Sequence, residues 1–171
     1  SEAAIGSAFE DGAEIRRARL GVEGVFTSEV KYKLELDFAG GTVSPTDAYL
    51  QLASGYGNWR IGHFKEPFGL EEQTSSRFVT FLERSAVSEA FAPARNLGLM
   101  LANGDDSMTW AAGLFRDADK TGKTTSEAYG ATGRFVYRPW YEDDGKRLLH
   151  LGVAASWRNP EVDVSASRSS R

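Results

Sequence analysis

An all-β, antiparallel meander of about eight strands is the fold that this sequence predicts. Three observations point to it. Polarity alternates with a period of two along successive segments, short Gly/Asn/Asp turns join most of them, and no connection offers an amphipathic helix that could cross over to a parallel neighbour.

Taken in order, the first strand has Leu20 and Val22 alternating with Arg19, Gly21 and Glu23. In 28–38 the odd positions are Glu29, Lys31, Lys33, Glu35 and Asp37, all charged, while five of the six even ones are apolar. A helix would scatter both sets around its circumference; a strand puts every charge on one face. Ala48, Leu50 and Leu52 then alternate with Asp47, Tyr49 and Gln51, and weaker strands are expected at about 58–64, 96–102, 108–115 and 129–138. The last strand sets Leu149, Leu151, Val153, Ala155 and Trp157 against Leu148, His150, Gly152, Ala154 and Ser156. AGGT (39–42), SGYGN (54–58) and NGDD (103–106) read as turns. Two connections break the rhythm. Residues 65–95, KEPFGLEEQTSSRFVTFLERSAVSEAFAPAR, show no strand alternation, and a connection that long is more often functional than idle. Its middle, 76–84, is expected as a short helix capped by Ser75 or Ser76. The other, 116–127, is polar and reads as a solvated loop.

Composition narrows the function classes. The 171 residues suit one domain or part of a larger one, and 20 basic against 24 acidic side chains leave a net charge of −4, without the basic excess of a nucleic-acid-binding face. There is no cysteine, and His63 and His150 are the only histidines, so thiolate chemistry is excluded and a histidine-rich metal centre is not expected. The longest apolar run is only a few residues, too short for a membrane-spanning helix. The start, SEAAIGSAFEDG, lacks the basic and apolar regions of a signal peptide, and the ending, DVSASRSSR, reads as easily as a truncation as a terminus.

Two architectures share such two-sided strands. A soluble sandwich turns the apolar face inward; a transmembrane barrel turns it to lipid and the charged face to an aqueous lumen. Alternation alone does not separate them. Strands of about ten residues, aromatics near strand ends (Phe26, Phe38, Trp59, Phe64, Trp110, Phe135, Tyr137, Trp140, Trp157) and a long loop able to enter a lumen favour the barrel.

The order of motifs carries a resemblance. EIRRARLGVEG, YKLELDFAGG, TDAYLQL, GHFKEPFGLEEQTSSRFVTFLERS and HLGVAASWRNP, spread from Glu14 to Pro160, resemble the phosphate-selective porin family of porins O and P. The resemblance implies a sixteen-stranded barrel in the Gram-negative outer membrane, surrounded by lipid and assembled as a homotrimer. About eight strands would be roughly half of it, so the chain is expected to be the N-terminal portion of a longer protein, with 65–95 folding into the lumen. It also implies passive diffusion of small anions such as phosphate or polyphosphate, with no cofactor.

Alternation puts Arg17 and Arg19 on the polar face with Glu23, whereas Arg16 shares a parity with Ala18, Leu20 and Val22. Guanidinium forks suit phosphate oxygens, and in a narrow lumen their field is poorly screened. Ordinary salt bridging with Glu23, Glu29, Glu35 or Asp37 is the plainer role, and Lys31 and Lys33 read as part of such a balanced wall. By resemblance, an arginine pair matching Arg16 and Arg17 contributes to the anion path, and Thr74, Ser75, Ser76 and Arg84 form the constriction. Their plainer roles are a helix cap and a pairing of Arg84 with Glu83 or Glu89. Where phosphate-selective members carry a lysine this chain has Glu72, which would repel phosphate unless it pairs with Arg84 or Arg77. A general or weakly selective porin, or a non-conducting structural barrel or sandwich, therefore stands beside the phosphate reading. No enzyme is expected. The carboxylate pairs Glu71–Glu72 and Asp105–Asp106 are sequence neighbours without opposed geometry, and Ser75 and Ser76 have neither a partnered histidine nearby nor a GxSxG elbow.

Overall fold

The computed structural model describes residues 15–75, 78, 84–119, 122–124 and 128–159. Eight strands form one sheet: β1 (Arg19–Val25), β2 (Val30–Asp37), β3 (Ser44–Ser54), β4 (Gly57–Lys65), β5 (Arg95–Gly104), β6 (Met108–Arg116), β7 (Tyr129–Glu142) and β8 (Arg147–Asn159). Their spatial order is their chain order, and every neighbouring pair is antiparallel. All eight expected strands are present in the expected meander. Two short helices, α1 (Leu70–Gln73) and α2 (Ala86–Phe91), lie in the β4–β5 connection.

Which face is buried separates the two architectures left open by alternation. The apolar residues Leu20, Val22, Leu34, Leu50, Ile61, Leu99, Leu114, Val153 and Trp157 are all exposed. The opposite, polar face is the one that is covered: Glu66, Thr132 and Asn96 are buried, together with Phe64, Met100 and Phe115. A soluble sandwich would have the reverse arrangement, because an apolar face of this size left in water forfeits its main stabilising term. A barrel wall bathed in lipid has this one.

The short turns lie together at one end of the sheet (26–29, 55–56, 105–107 and 143–146), and the longer connections 38–43, 66–94 and 117–128 at the other. Strands β3 to β8 run 9 to 14 residues, enough to cross a hydrocarbon layer with tilt. The ladder slips between Glu35 and Leu36 and again between Tyr137 and Trp140, where Pro139 sits at the irregularity that its missing N–H requires.

Phe64 departs from the expected aromatic girdle. It stands on the same face of β4 as Arg60 and is buried, meeting Tyr49 at 6.0 Å and Phe115 at 5.7 Å between ring centroids. Gly98 makes room for this cluster: a Cβ there would lie 2.3 Å from Cδ1 of Phe115. Phe26, Phe38, Trp59, Phe135, Tyr137, Trp140 and Trp157 are exposed, as a girdle requires.

Candidate functional site

The covered polar face holds a cavity of about 800 Å³. Its wall is built by strand parity: Arg19, Gly21 and Glu23 of β1, Lys33 and Glu35 of β2, Asp47 and Tyr49 of β3, and Arg60 and Phe64 of β4 all fall on one side of the sheet. Lys65 at the end of β4, and Gln73, Ser75 and Arg84 of the long connection, complete its lining. Seven cationic side chains (Arg17, Arg19, Lys33, Arg60, Lys65, Arg84, Arg95) line it against three carboxylates, Glu23, Glu35 and Asp47.

Of the residues expected in an anion path, Arg17, Arg19, Ser75 and Arg84 come together on this cavity. Arg16 does not line it, as its opposite parity anticipated, and it is exposed. Thr74 does not line it either: its hydroxyl donates to the carbonyl of Leu70 at 2.8 Å, a local back-bond at the end of α1. Ser76 lies outside the described residues, as does most of the helix expected over 76–84. The hydroxyl that caps a described helix is that of Ser85, which accepts from the N–H of Ser88 at the start of α2.

Arg84 staples the connection. Its guanidinium donates to the carbonyls of Glu71 (3.2 Å) and Thr74 (3.0 Å) and lies 3.5 Å from the Glu72 carboxylate. Glu72 is buried and is met also by Lys65 at 3.4 Å. The carboxylate that by sequence would repel phosphate is thus enclosed between two cations and does not line the cavity. Glu71 has a different task. Both its oxygens accept from Ser85, one from the N–H and one from the hydroxyl, each at 2.6 Å. The Ser85 hydroxyl first, and its N–H second, hold the Glu71 carboxyl below its ordinary pKa.

Along the wall the charges interlock. Arg19 pairs with Asp37 (2.9 Å) and Glu35 (3.5 Å), Lys33 bridges Asp47 (2.9 Å) and Glu35 (3.6 Å), and Arg95 reaches Asp47 at 2.8 Å. Arg60 is different. Its guanidinium lies 4.4 Å over the Tyr49 ring and donates twice to the neutral Gln51 side chain, at 3.1 and 2.7 Å. Among the described residues neither Arg60 nor Arg17 has a carboxylate partner.

The long connection is tied to the far side of the sheet by a residue that parity gives no reason to single out. Glu66 is fully buried. One carboxylate oxygen accepts from Arg158 of β8 (2.6 Å) and Asn96 of β5 (2.7 Å), and the other accepts from the hydroxyl of Thr132 on β7. Arg158 also pairs with Asp117 at 2.6 Å. Sequence reasoning missed Glu66, Asn96, Thr132 and Arg158. The available signals were the position of Glu66 inside FKEPFG, directly after a strand end, and the inward parity of the other three.

Comparison with known proteins then decides the lineage. Residues 7–171 match the family described as phosphate-selective porin O and P. The chain belongs to this family. Porin O of Pseudomonas aeruginosa is 29% identical over 170 residues, covering 92% of this chain and 38% of that protein. A Caulobacter vibrioides protein described as uncharacterized is 33% identical over 156 residues, covering 86% of this chain and 31% of that protein. The chain therefore spans about a third of the length of the curated relatives it matches.

Proposed function

We propose that these residues form part of an outer-membrane porin through which small anions, phosphate and polyphosphate among them, diffuse passively. The observation that carries the reading is the cavity with seven cations against three carboxylates on the covered face of a sheet whose other face is apolar and exposed. In a lumen walled by low-dielectric protein and lipid, such an excess lowers the barrier to anion entry more than to cation entry. The 65–95 connection narrows the path. Arg17 and Arg19 concentrate anions, and Ser75 and Arg84 flank the passage. Outward apolar residues meet lipid, and the trimer implied by the family would take its contacts from the same face. The longer connections then face outside the cell and the short turns the periplasm.

A weakly selective general porin is the second reading, because Lys33, Arg19 and Arg95 spend much of their field on Glu35, Asp37 and Asp47. Titrating inorganic phosphate into the chloride current of the full-length protein in planar bilayers separates the two. Saturable block that weakens in Arg17→Gln supports the anion site; an unblocked chloride current supports the general porin. A barrel that inserts and conducts nothing contradicts both.

A further inference from the structure

Resting on the anion-porin reading, we infer that the path holds a second oxyanion station, formed by Arg60 and Arg134, beyond the throat of the main cavity. A separate cavity of about 330 Å³ adjoins the first, and Arg60, Lys65 and Gln73 line both, so these three side chains form the throat between them. That volume is at the small end of ligand sites and suits an inorganic oxyanion or a single carboxylate. Its lining includes three cations, Arg60, Lys65 and Arg134, and no carboxylate.

The cations differ in how much of their charge is free. Lys65 is held against Glu72. Arg60 is fixed from below by Tyr49 and Gln51, which leaves its Nη1 without a partner among the described residues. Arg134, on β7, makes no hydrogen bond or ion pair among the described residues, although it is only partly exposed. Between the two arginines the wall is uncharged: Arg134 stands opposite Ala111, which stands opposite Ala102, and the buried Met100 stands opposite Arg60. A bulky or acidic side chain at either alanine would fill the gap or quench the charge. As built, the gap remains open between two guanidinium groups, and guanidinium is the group best shaped to take two oxygens of one phosphate or carboxylate. An anion leaving Arg17 and Arg19 thus meets Arg60 at the throat and Arg134 beyond it. Two weak stations in series let an ion enter readily and still leave, which one tight site does not.

The test is sided phosphate block of the chloride current through the full-length protein in a planar bilayer. Arg134→Gln should raise the inorganic phosphate concentration for half block by about fivefold from one side and by less than about twofold from the other, since one charge-assisted contact is lost on one side of the throat. Arg17→Gln should give the opposite sidedness. Ala111→Asp, which keeps the arginine and sets a carboxylate beside it, should reproduce the Arg134→Gln effect, so the inference does not depend on one variant folding. Heat-modifiable migration on gels reports that each variant has formed its barrel. Arg134→Gln and Ala111→Asp channels that block like the wild type from both sides, or that weaken equally from both, would overturn the second station alone. A wild type that phosphate does not block from either side overturns the anion-porin reading, and the station with it.

Discussion

Two carboxylate-centred networks share the polar face, and they do different things. Around Glu66 the carboxylate is wholly buried and is met by Arg158, Asn96 and Thr132, groups carried on three strands on the far side of the long connection. Around Asp47 the carboxylate borders the cavity, and its partners Lys33 and Arg95 border it too. The first is dry and fixes where the connection sits. The second borders the cavity, where on the proposed porin reading it would set how much of the wall's positive charge a passing ion feels. Burial decides which role a carboxylate plays: an uncompensated charge is expensive in a dry site and cheap beside water, where its field still acts on passing ions.

Removing Glu66 should therefore have the largest structural effect. Glu66→Ala leaves Arg158 with Asp117 alone and unties the connection from β7 and β8, at a cost of about 3 kcal/mol. The temperature at which the folded barrel converts to the slower-migrating unfolded form on gels should fall clearly. An unchanged conversion temperature would mean that the connection is held elsewhere. Asp47→Asn should show the reverse profile. Its ion pairs border water, so stability should change by no more than about 1 kcal/mol. Freed Lys33 and Arg95 should nevertheless move the zero-current potential further toward the anion side. A loss of folding instead would place Asp47 in the same class as Glu66.

The smallest effect belongs to Glu71 and Ser85 within the long connection. The Glu71 carboxyl is held below its ordinary pKa by Ser85, so this contact contributes fully above the ordinary carboxylate pKa and is lost as pH falls through the lowered value. Ser85→Ala removes the hydroxyl donor together with the cap of α2. Proteolysis of the 66–94 connection, followed downward from neutral pH, should set in at a higher pH in Ser85→Ala than in the wild type. Coincident profiles would show that the contact does not restrain the connection.

The fold was legible in the sequence because a strand writes its two environments at alternate positions. Glu29 through Asp37 did so without exception, and the meander followed from turns too short to cross over. Which face meets water was not legible, since alternation is the same for a sandwich and a barrel; the exposure of Leu20, Val22, Ile61 and Val153 was needed to show it. Arg17 and Arg19 could be placed on the cavity by parity alone. For Glu72 the pairing with Arg84 could be named from sequence, but not the one with Lys65, which depends on how the connection turns back on its own strand. Likewise nothing local marks Arg60 as different from Arg95. One stands against Gln51 and the other against Asp47, and only the cross-strand register decides this.

The zero-current potential of the full-length protein across a KCl gradient reads out whether the covered face walls an anion path. Cations in excess on the covered face predict a potential of anion sign, shifted further by Asp47→Asn and reduced by Arg60→Gln. A potential of cation sign, or one near zero that neither variant moves, would contradict the assignment of this face as the wall of an anion path.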